Sequence, residues 1–344
     1  ATVVVNPTAD TTVEANETVV LTLATGSGYA IGTSGAVTGT LTNDDVVGPT
    51  TPPVDPITGL RGWQLNATNI GLAPFGIDGS QLPVYTGPYE IPAGSYITGM
   101  KFTRPVSLIQ GNITIEKSLF QPTSLGIGQA AVSATAYSNN QWVAPPNTVT
   151  IRDSEFDASR LPLENAAKGF AFSGLADLQR NYIHGFGIGI SIFGTGRTLD
   201  GLIEHNYITD TPAFGDPGTT GNHIDAFTIR DFSDAQRPDR RLVVRNNRFD
   251  ANAATNVTGA FFMQAWGGRI DNVSIEGNLL EGKGYNLILE ANANGYSNIS
   301  ATDNRFAPTG YGATYFTGTG WTSWQNNYFF NPAMPGGMGD AVFP

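Results

Sequence analysis

The chain has 344 residues, a net charge of −11, 42 glycines and no cysteine. The absence of cysteine excludes disulfides and thiolate metal sites. The 18 basic residues form no cluster, which argues against nucleic acid or an anionic membrane surface as partner. No apolar run approaches about 18 residues, so the sequence predicts no membrane span.

Residues 1–45 contain three β-type stretches, TVVVNP, TVVLTLAT and GAVTGTLTNDD. The phrase DTTVEANETVVLTL followed by GTLTNDD resembles the C-terminal half of a Calx-β domain, an immunoglobulin-like sandwich common in bacterial surface proteins. The resemblance implies acidic loops that can hold calcium, and the corresponding acids are Asp10, Glu14, Glu17, Asp44 and Asp45. Because calcium needs six or more oxygens from several loops, we expect a solvated acidic edge here. Apart from Ca²⁺ at this acidic edge, the sequence predicts no cofactor.

Half of a sandwich would expose its inner apolar side chains and unpaired strand edges, which invite strand addition from another chain. These side chains are Val3, Val5, Val19, Leu21 and Leu23. Two explanations stay open: the chain was cut from a longer repeat protein, or the N-terminal β segment self-associates with a neighbouring copy. Truncation is favoured, because Calx-β repeats usually occur in long chains.

A proline-rich segment, residues 46–58, is predicted to be an extended linker. Residues 59–92 are predicted to cap the first coil of the following domain, with Trp63, Phe75 and Tyr85 as packing residues. The predicted organisation is therefore a partial Calx-β-like segment (1–45), a linker (46–58) and one large domain (59–344).

One eight-residue phrase recurs through the large domain. It reads VTIRDSEF at 149–156 and returns as ADLQRNYI, GLIEHNYI, LVVRNNRF, VSIEGNLL, ISATDNRF and TSWQNNYF, with a weaker copy, ITIEKSLF, at 113–120. Its small polar position is occupied by Ser118, Ser154, Asn181, Asn206, Asn247, Asn278, Asn304 and Asn327. Repeats at such spacing indicate a solenoid, and a polar residue at one phase predicts a stacked, hydrogen-bonded ladder.

Short strands with alternating apolar residues follow most copies, as in GIGISIFG at 187–194, and no helical periodicity is visible. The fold class is therefore all-β, and a right-handed parallel β-helix is predicted. The repeat resembles the β-helix proteins of the pectin-lyase-like superfamily over roughly 59–344. That superfamily contains polysaccharide lyases, glycoside hydrolases, epimerases, phage tailspikes and non-catalytic adhesins, so the resemblance implies a fold and not one chemistry.

The outer face of these following strands is the predicted site. If Ile188, Ile190 and Ile192 face inward, Gly189 and Ser191 face outward. The same alternation places Arg230, Gln264 and Glu290 outward on successive strands as a polar row flanked by Trp266. This row lies beneath an insertion that ends at His223. An exposed tryptophan beside polar groups suits stacking on a sugar ring.

Three chemistries stay open for this face. A glycosidase needs two carboxylates, and strand spacing alone places Asp225 and Glu290 about 10 Å apart; Asp225 has the wrong parity unless a bend precedes Ala226. A uronate lyase could use Arg230 to neutralise the substrate carboxylate, Lys283 or His223 as base, and Tyr285 as acid. A binding protein needs only the surface and Trp266. His184 and His205 are interpreted as turn or surface histidines.

The sequence thus predicts a secreted or cell-surface protein that binds an extracellular polysaccharide, with cleavage by a lyase or glycosidase as the enzymatic form. The alternative is a non-catalytic structural or adhesive protein. The candidate catalytic residues are His223, Asp225, Arg230, Lys283 and Glu290. The candidate substrate-binding residues are Gln264, Trp266 and Tyr285, and no metal is assigned to the site.

Overall fold

The computed structural model describes residue 5 and residues 17–32, 34–41, 59–138, 141–194, 199–232, 237, 239–252, 255–308 and 311–344. The chain divides into two compact units, Ala1–Pro56 and Ile57–Pro344. The predicted linker lies outside the described residues, so its extended conformation stays a prediction. The described chain is almost entirely β-structure and turns, which confirms the all-β fold class.

The described residues of the first unit form one antiparallel pair of strands, Glu17–Leu21 and Val37–Leu41. Both faces of this pair are open, with Val20 58% and Val37 70% exposed. Val3 and the predicted calcium ligands Asp10, Glu14, Asp44 and Asp45 lie outside the described residues. Strand addition by a second copy therefore stays a prediction.

The second unit contains three long sheets that the chain visits in a fixed order. Sheet 1 has nine strands: Tyr96–Thr98, Ile113–Glu116, Val149–Arg152, Asp177–Gln179, Gly201–Glu204, Leu242–Arg245, Ile270–Glu276, Tyr296–Thr302 and Ser323–Gln325. Sheet 2 has ten: Lys101–Phe102, Leu119–Phe120, Glu155–Asp157, Tyr182–His184, Tyr207–Thr209, Arg248–Ala251, Leu279–Gly282, Arg305–Phe306, Tyr328–Phe330 and Met338–Ala341. Sheet 3 has eight: Val106–Ser107, Ala130–Ala134, Phe170–Gly174, Ile188–Ile192, Ile224–Ile229, Val257–Gln264, Tyr285–Glu290 and Gly312–Phe316.

We call one passage through sheets 1, 2 and 3 a circuit. Each strand pairs in parallel with its counterpart in the next circuit; among the described strands of these three sheets, Met338–Ala341 alone joins antiparallel. Outside these sheets lie the hairpin Ala136–Ser138 and Gln141–Val143, the short helix Leu163–Ala167, and 3₁₀ turns at Gly62–Gln64, Ala73–Phe75, Gly79–Gln81 and Pro335–Gly337.

The recurring phrase forms the turn from sheet 1 to sheet 2. The residue before each ladder position has a positive φ, from 50° at Lys117 to 65° at Gly277. This conformation turns the chain sharply and directs the next side chain into the interior, where Asn206, Asn247 and Asn278 are fully buried. The stacked polar row expected from the repeat is present: Asn206 N donates to Asn247 Oδ1 at 2.8 Å, and Asn247 N donates to Asn278 Oδ1 at 2.8 Å.

Apolar side chains of all three sheets fill the space enclosed by each circuit. Their rings stack from circuit to circuit, with centroids 4.6 Å apart for Phe102 and Phe120 and 4.5 Å apart for Phe120 and Phe156. Strands about 4.8 Å apart place equivalent side chains at van der Waals distance. The core is therefore one continuous column of residues, each contacting its counterparts in the neighbouring circuits.

Only part of the predicted cap covers the first circuit. Val84 and Glu90 form parallel bridges to Lys101 and Ser107, so residues 83–92 do lie on the first strands. Residues 60–79 instead run along the outer face of sheet 2, where Leu65 and Ile70 pack on Tyr207. Trp63 accordingly lies against Arg305, near the last circuits, with the guanidinium 4.3 Å from the ring centroid. The prediction that the whole segment caps the first coil was therefore wrong for this stretch.

Candidate functional site

Side chains of the central strands of sheet 3 face inward and outward in turn, except at one point in each strand. At that point two consecutive residues both face inward. Gly189 and Ile190 both face inward, since a Cβ on Gly189 would lie 2.6 Å from Ile208 Cγ2. Ala226 and Phe227 are in register with these two residues on the next strand, so they face inward as well. The orientation predicted for Ile188 and Gly189 was therefore wrong: a bend turns Ile188 outward, whereas Ser191 faces outward as predicted.

A groove of about 780 Å³ lies on this outer face. Its lining comprises Tyr89, Arg104, Pro105, Gly128, Gln129, Ala130, Ser133, Thr135, Trp142, Phe170, Ser173, Ile188, Ser191, Phe193, Thr228, Arg230 and Trp266. Ser133, Ser173, Ser191 and Thr228 are in register on four adjacent strands, so hydroxyl groups recur along the floor about every 4.8 Å. Thr228 Oγ1 is buried and has no hydrogen-bond partner within the described part of the chain.

Aromatic rings form one side of the groove. The centroids of Trp142 and Phe193 are 4.7 Å apart, and those of Phe193 and Trp266 are 6.2 Å apart. Trp266 is 65% exposed, so much of its surface is free to contact a ligand. Trp142 and Phe193 were missed at the sequence level. The available signal was that Trp142 lies in the long spacing between Phe120 and Val149, and solenoid insertions often build the binding face.

The polar row predicted from the alternation of the strands is present at one end of the groove. Arg230 Nη1 donates to Gln264 Oε1, and Gln264 Nε2 donates to Glu290 Oε2 at 2.7 Å. The Arg230 guanidinium also lies over the Phe262 ring, 4.7 Å from its centroid. Burial lowers the pKa of Arg230, while Asp225 and Glu290 act in the opposite direction. Arg230 is the member of the row that reaches the groove.

Asp225 lies beside the groove floor, in register with the groove-lining Ile188. Parity required a bend before Ala226; the structure has one a residue later, at Ala226 and Phe227, and it turns Asp225 outward. Asp225 is 1% exposed, and its Oδ1 accepts a hydrogen bond from Gly259 N at 3.3 Å. Burial raises the pKa of Asp225 to about 7, although Arg230 and the Gly259 amide act to lower it. Asp225 can therefore exchange a proton near neutral pH.

The carboxylate pair expected for a glycosidase is not formed. Asp225 is in register with Gly259 and, through it, with Tyr285, whereas Glu290 lies five residues further along that last strand. Two strand spacings of about 4.8 Å and five residues of about 3.3 Å separate the two Cα atoms by roughly 19 Å. The 10 Å estimate was wrong because it neglected displacement along the strand.

The remaining predicted residues lie outside the groove lining. His223 is exposed, with Nδ1 3.3 Å from Thr258 Oγ1. Lys283 is exposed, and Tyr285 packs with Tyr311 and Tyr315 at centroid distances of 5.9 and 5.3 Å. The structure thus brings Arg230, Gln264 and Glu290 together and leaves the proposed lyase base and acid away from the groove.

The groove is locally basic in an acidic protein. Among the described residues, its lining contains Arg104 and Arg230 and neither aspartate nor glutamate, while the whole chain has a net charge of −11. None of the helices within the described residues is both long and apolar enough to cross a membrane. Comparison with protein-family models, with curated proteins and with solved structures finds no match to this chain.

Proposed function

We propose that the protein binds an extended anionic polysaccharide along the groove of sheet 3. The observation that carries this proposal is the parallel arrangement of a hydroxyl row on the groove floor and an aromatic row beside it. Regularly spaced hydroxyls suit a ligand with repeating polar groups, and aromatic faces suit sugar rings. The unpartnered Thr228 hydroxyl is a hydrogen-bonding group that a ligand would satisfy.

The positive charge of the groove lining indicates which class of glycan would bind. Two arginines, Arg104 and Arg230, line the groove in the described part of the chain, and guanidinium groups pair well with carboxylates or sulfates. Uronic acids or sulfated sugars therefore fit better than neutral ones. The rest of the acidic surface would repel the same ligand, which favours binding in the groove.

The proposed fold is a right-handed parallel β-helix of the pectin-lyase-like kind, preceded by the C-terminal half of a Calx-β domain. The fixed order of the three sheets and the parallel pairing between circuits support the β-helix. The proposed location is secreted or cell-surface, because the proposed ligand is an extracellular polysaccharide.

Binding is tested by titrating the full chain with matched acidic and neutral polysaccharides at low and high salt. We expect saturable binding of an acidic glycan that weakens with salt, and an approximately tenfold or greater loss in Trp266→Ala and Trp142→Ala. Phe343→Ala, which removes another highly exposed aromatic ring, is the matched control and should bind normally. Equal affinity of all three variants, or binding of neutral glycans alone, would contradict the proposal.

Cleavage of the bound chain is the second candidate function, supported by Asp225 and Arg230 beside the groove floor. A carboxyl group with a pKa of about 7 suits general acid–base catalysis near neutral pH. Incubation with a panel of acidic polysaccharides should then generate new reducing ends or ultraviolet absorbance, and Asp225→Asn should abolish both while retaining binding. Binding without product formation would assign the protein to the non-catalytic alternative.

A further inference from the structure

A second cluster of ionisable side chains lies on the outer face of sheet 2, whereas the groove lies on sheet 3. Glu155 and Asp157 belong to one strand, and His184 is in register with Asp157 on the next. One ligand atom of each residue lies within 4.8 Å of those of the other two. Their side chains are 27, 12 and 20% exposed, in the same order, so solvent and small ions can reach the cluster.

The equivalent positions three circuits later include an arginine, which this cluster lacks. They hold Arg248, Asp250 and Glu281, and Arg248 lies 2.7 Å from Glu281 Oε2 and 4.0 Å from Asp250 Oδ2. An arginine therefore neutralises two carboxylates there. In the first cluster Glu155 occupies the arginine position, and the ion pairs of its two carboxylates within the described part of the chain are with the histidine.

The cluster brings two carboxylates together with one histidine. Asp157 also accepts hydrogen bonds from Gln121 Nε2 at 2.6 Å and from Ser159 N at 2.7 Å. A cation placed among the three side chains would relieve this accumulation of negative charge.

We propose that Glu155, Asp157 and His184 bind a divalent first-row transition ion, with Zn²⁺ as the best match. An imidazole nitrogen with two carboxylate oxygens is a mixed donor set that Zn²⁺ accepts at about 2.0–2.2 Å. The ion replaces the present 3.0 Å contact between His184 Nε2 and Glu155 Oε1. Three protein ligands leave a fourth position for water or an external oxygen ligand, so the site is an open one.

The proposal is tested by dialysing the full chain against a chelator and titrating it calorimetrically with Zn²⁺. We expect one saturable equivalent, a higher thermal midpoint with the ion bound, and a visible Co²⁺ spectrum of a nitrogen- and oxygen-ligated centre. His184→Gln and Asp157→Asn should each weaken binding by about tenfold to a hundredfold or more. Asp250→Asn, the same change at the arginine-neutralised position, is the matched control and should retain the full equivalent.

Circular dichroism of each metal-free variant separates a lost ligand from a lost fold, and His184→Ala provides a second histidine variant if the first is unstable. No saturable Zn²⁺ binding by the wild-type chain would overturn the proposal and leave the cluster as a contact between His184 and two carboxylates. Zn²⁺ binding that persists in both His184 variants, or binding of Ca²⁺ alone, would overturn it as well.

Discussion

Asn247→Ala is expected to lower the free energy of unfolding by roughly 3 kcal/mol or more, because it leaves several buried groups without partners. The Asn247 carboxamide oxygen accepts from both the backbone and side-chain nitrogens of Asn206 at 2.8 and 3.0 Å. Its nitrogen donates to Ile203 O and Arg245 O at 2.8 and 3.0 Å. Alanine can replace none of these bonds, and the side chain is fully buried, which keeps water away.

Chemical denaturation of purified variants measures this effect. Asn331→Ala, the same change at an exposed turn, is the control and should cost well under half as much. Asn247→Ser should fall between the two, because Ser154 fills the equivalent position in an earlier circuit, where its hydroxyl accepts from Ser118 N and donates to Arg152 O. Equal stability of Asn247→Ala and wild type would show that the ladder contributes nothing to the fold.

Asp225→Asn is expected to remove a pH dependence of stability that the wild-type protein has between about pH 4 and pH 7. The folded state holds the Asp225 proton up to a pKa of about 7, whereas the ordinary aspartate pKa of 3.8 applies in the unfolded chain. Protons bound only by the folded state stabilise it at low pH, so the free energy of unfolding falls as pH rises through this window. The full loss corresponds to roughly 4 kcal/mol.

The measurement compares urea unfolding of wild type and Asp225→Asn at pH 5 and pH 8. Wild type should lose about 3 kcal/mol relative to the variant over this interval, while the amide retains an acceptor for Gly259 N. Other titrating groups, including Asp177, whose pKa burial raises to about 6, are common to both proteins and cancel. Asp340→Asn, at an exposed position, should follow wild type, and parallel pH profiles for wild type and Asp225→Asn would refute the assignment.

Strand alternation in the sequence predicted one part of the candidate site correctly. Gln264 and Glu290 are in register and hydrogen-bonded, with Arg230 as the third member of the row. Alternation is local, and parallel pairing repeats it from circuit to circuit, so residues at one phase must meet. Alternation named a bend near Ala226 only as a condition for Asp225, and it did not predict the bend at Gly189. These bends moved Ile188 and Asp225 to the outer face, and their sequence signal is only a small residue in mid-strand.

The sequence by itself determined the repeating turn and the buried ladder. Each turn needs a residue of positive φ followed by a polar side chain that can satisfy buried backbone groups, and both requirements are met within eight residues. Tertiary structure alone decided where residues 60–79 lie and which insertion forms the aromatic side of the groove. Trp142 and Trp266 are far apart in the chain, and their approach to Phe193 depends on loop packing that no local pattern encodes. Local backbone requirements produce a recognisable residue pattern in the sequence, whereas contacts between distant insertions form only when all circuits pack together.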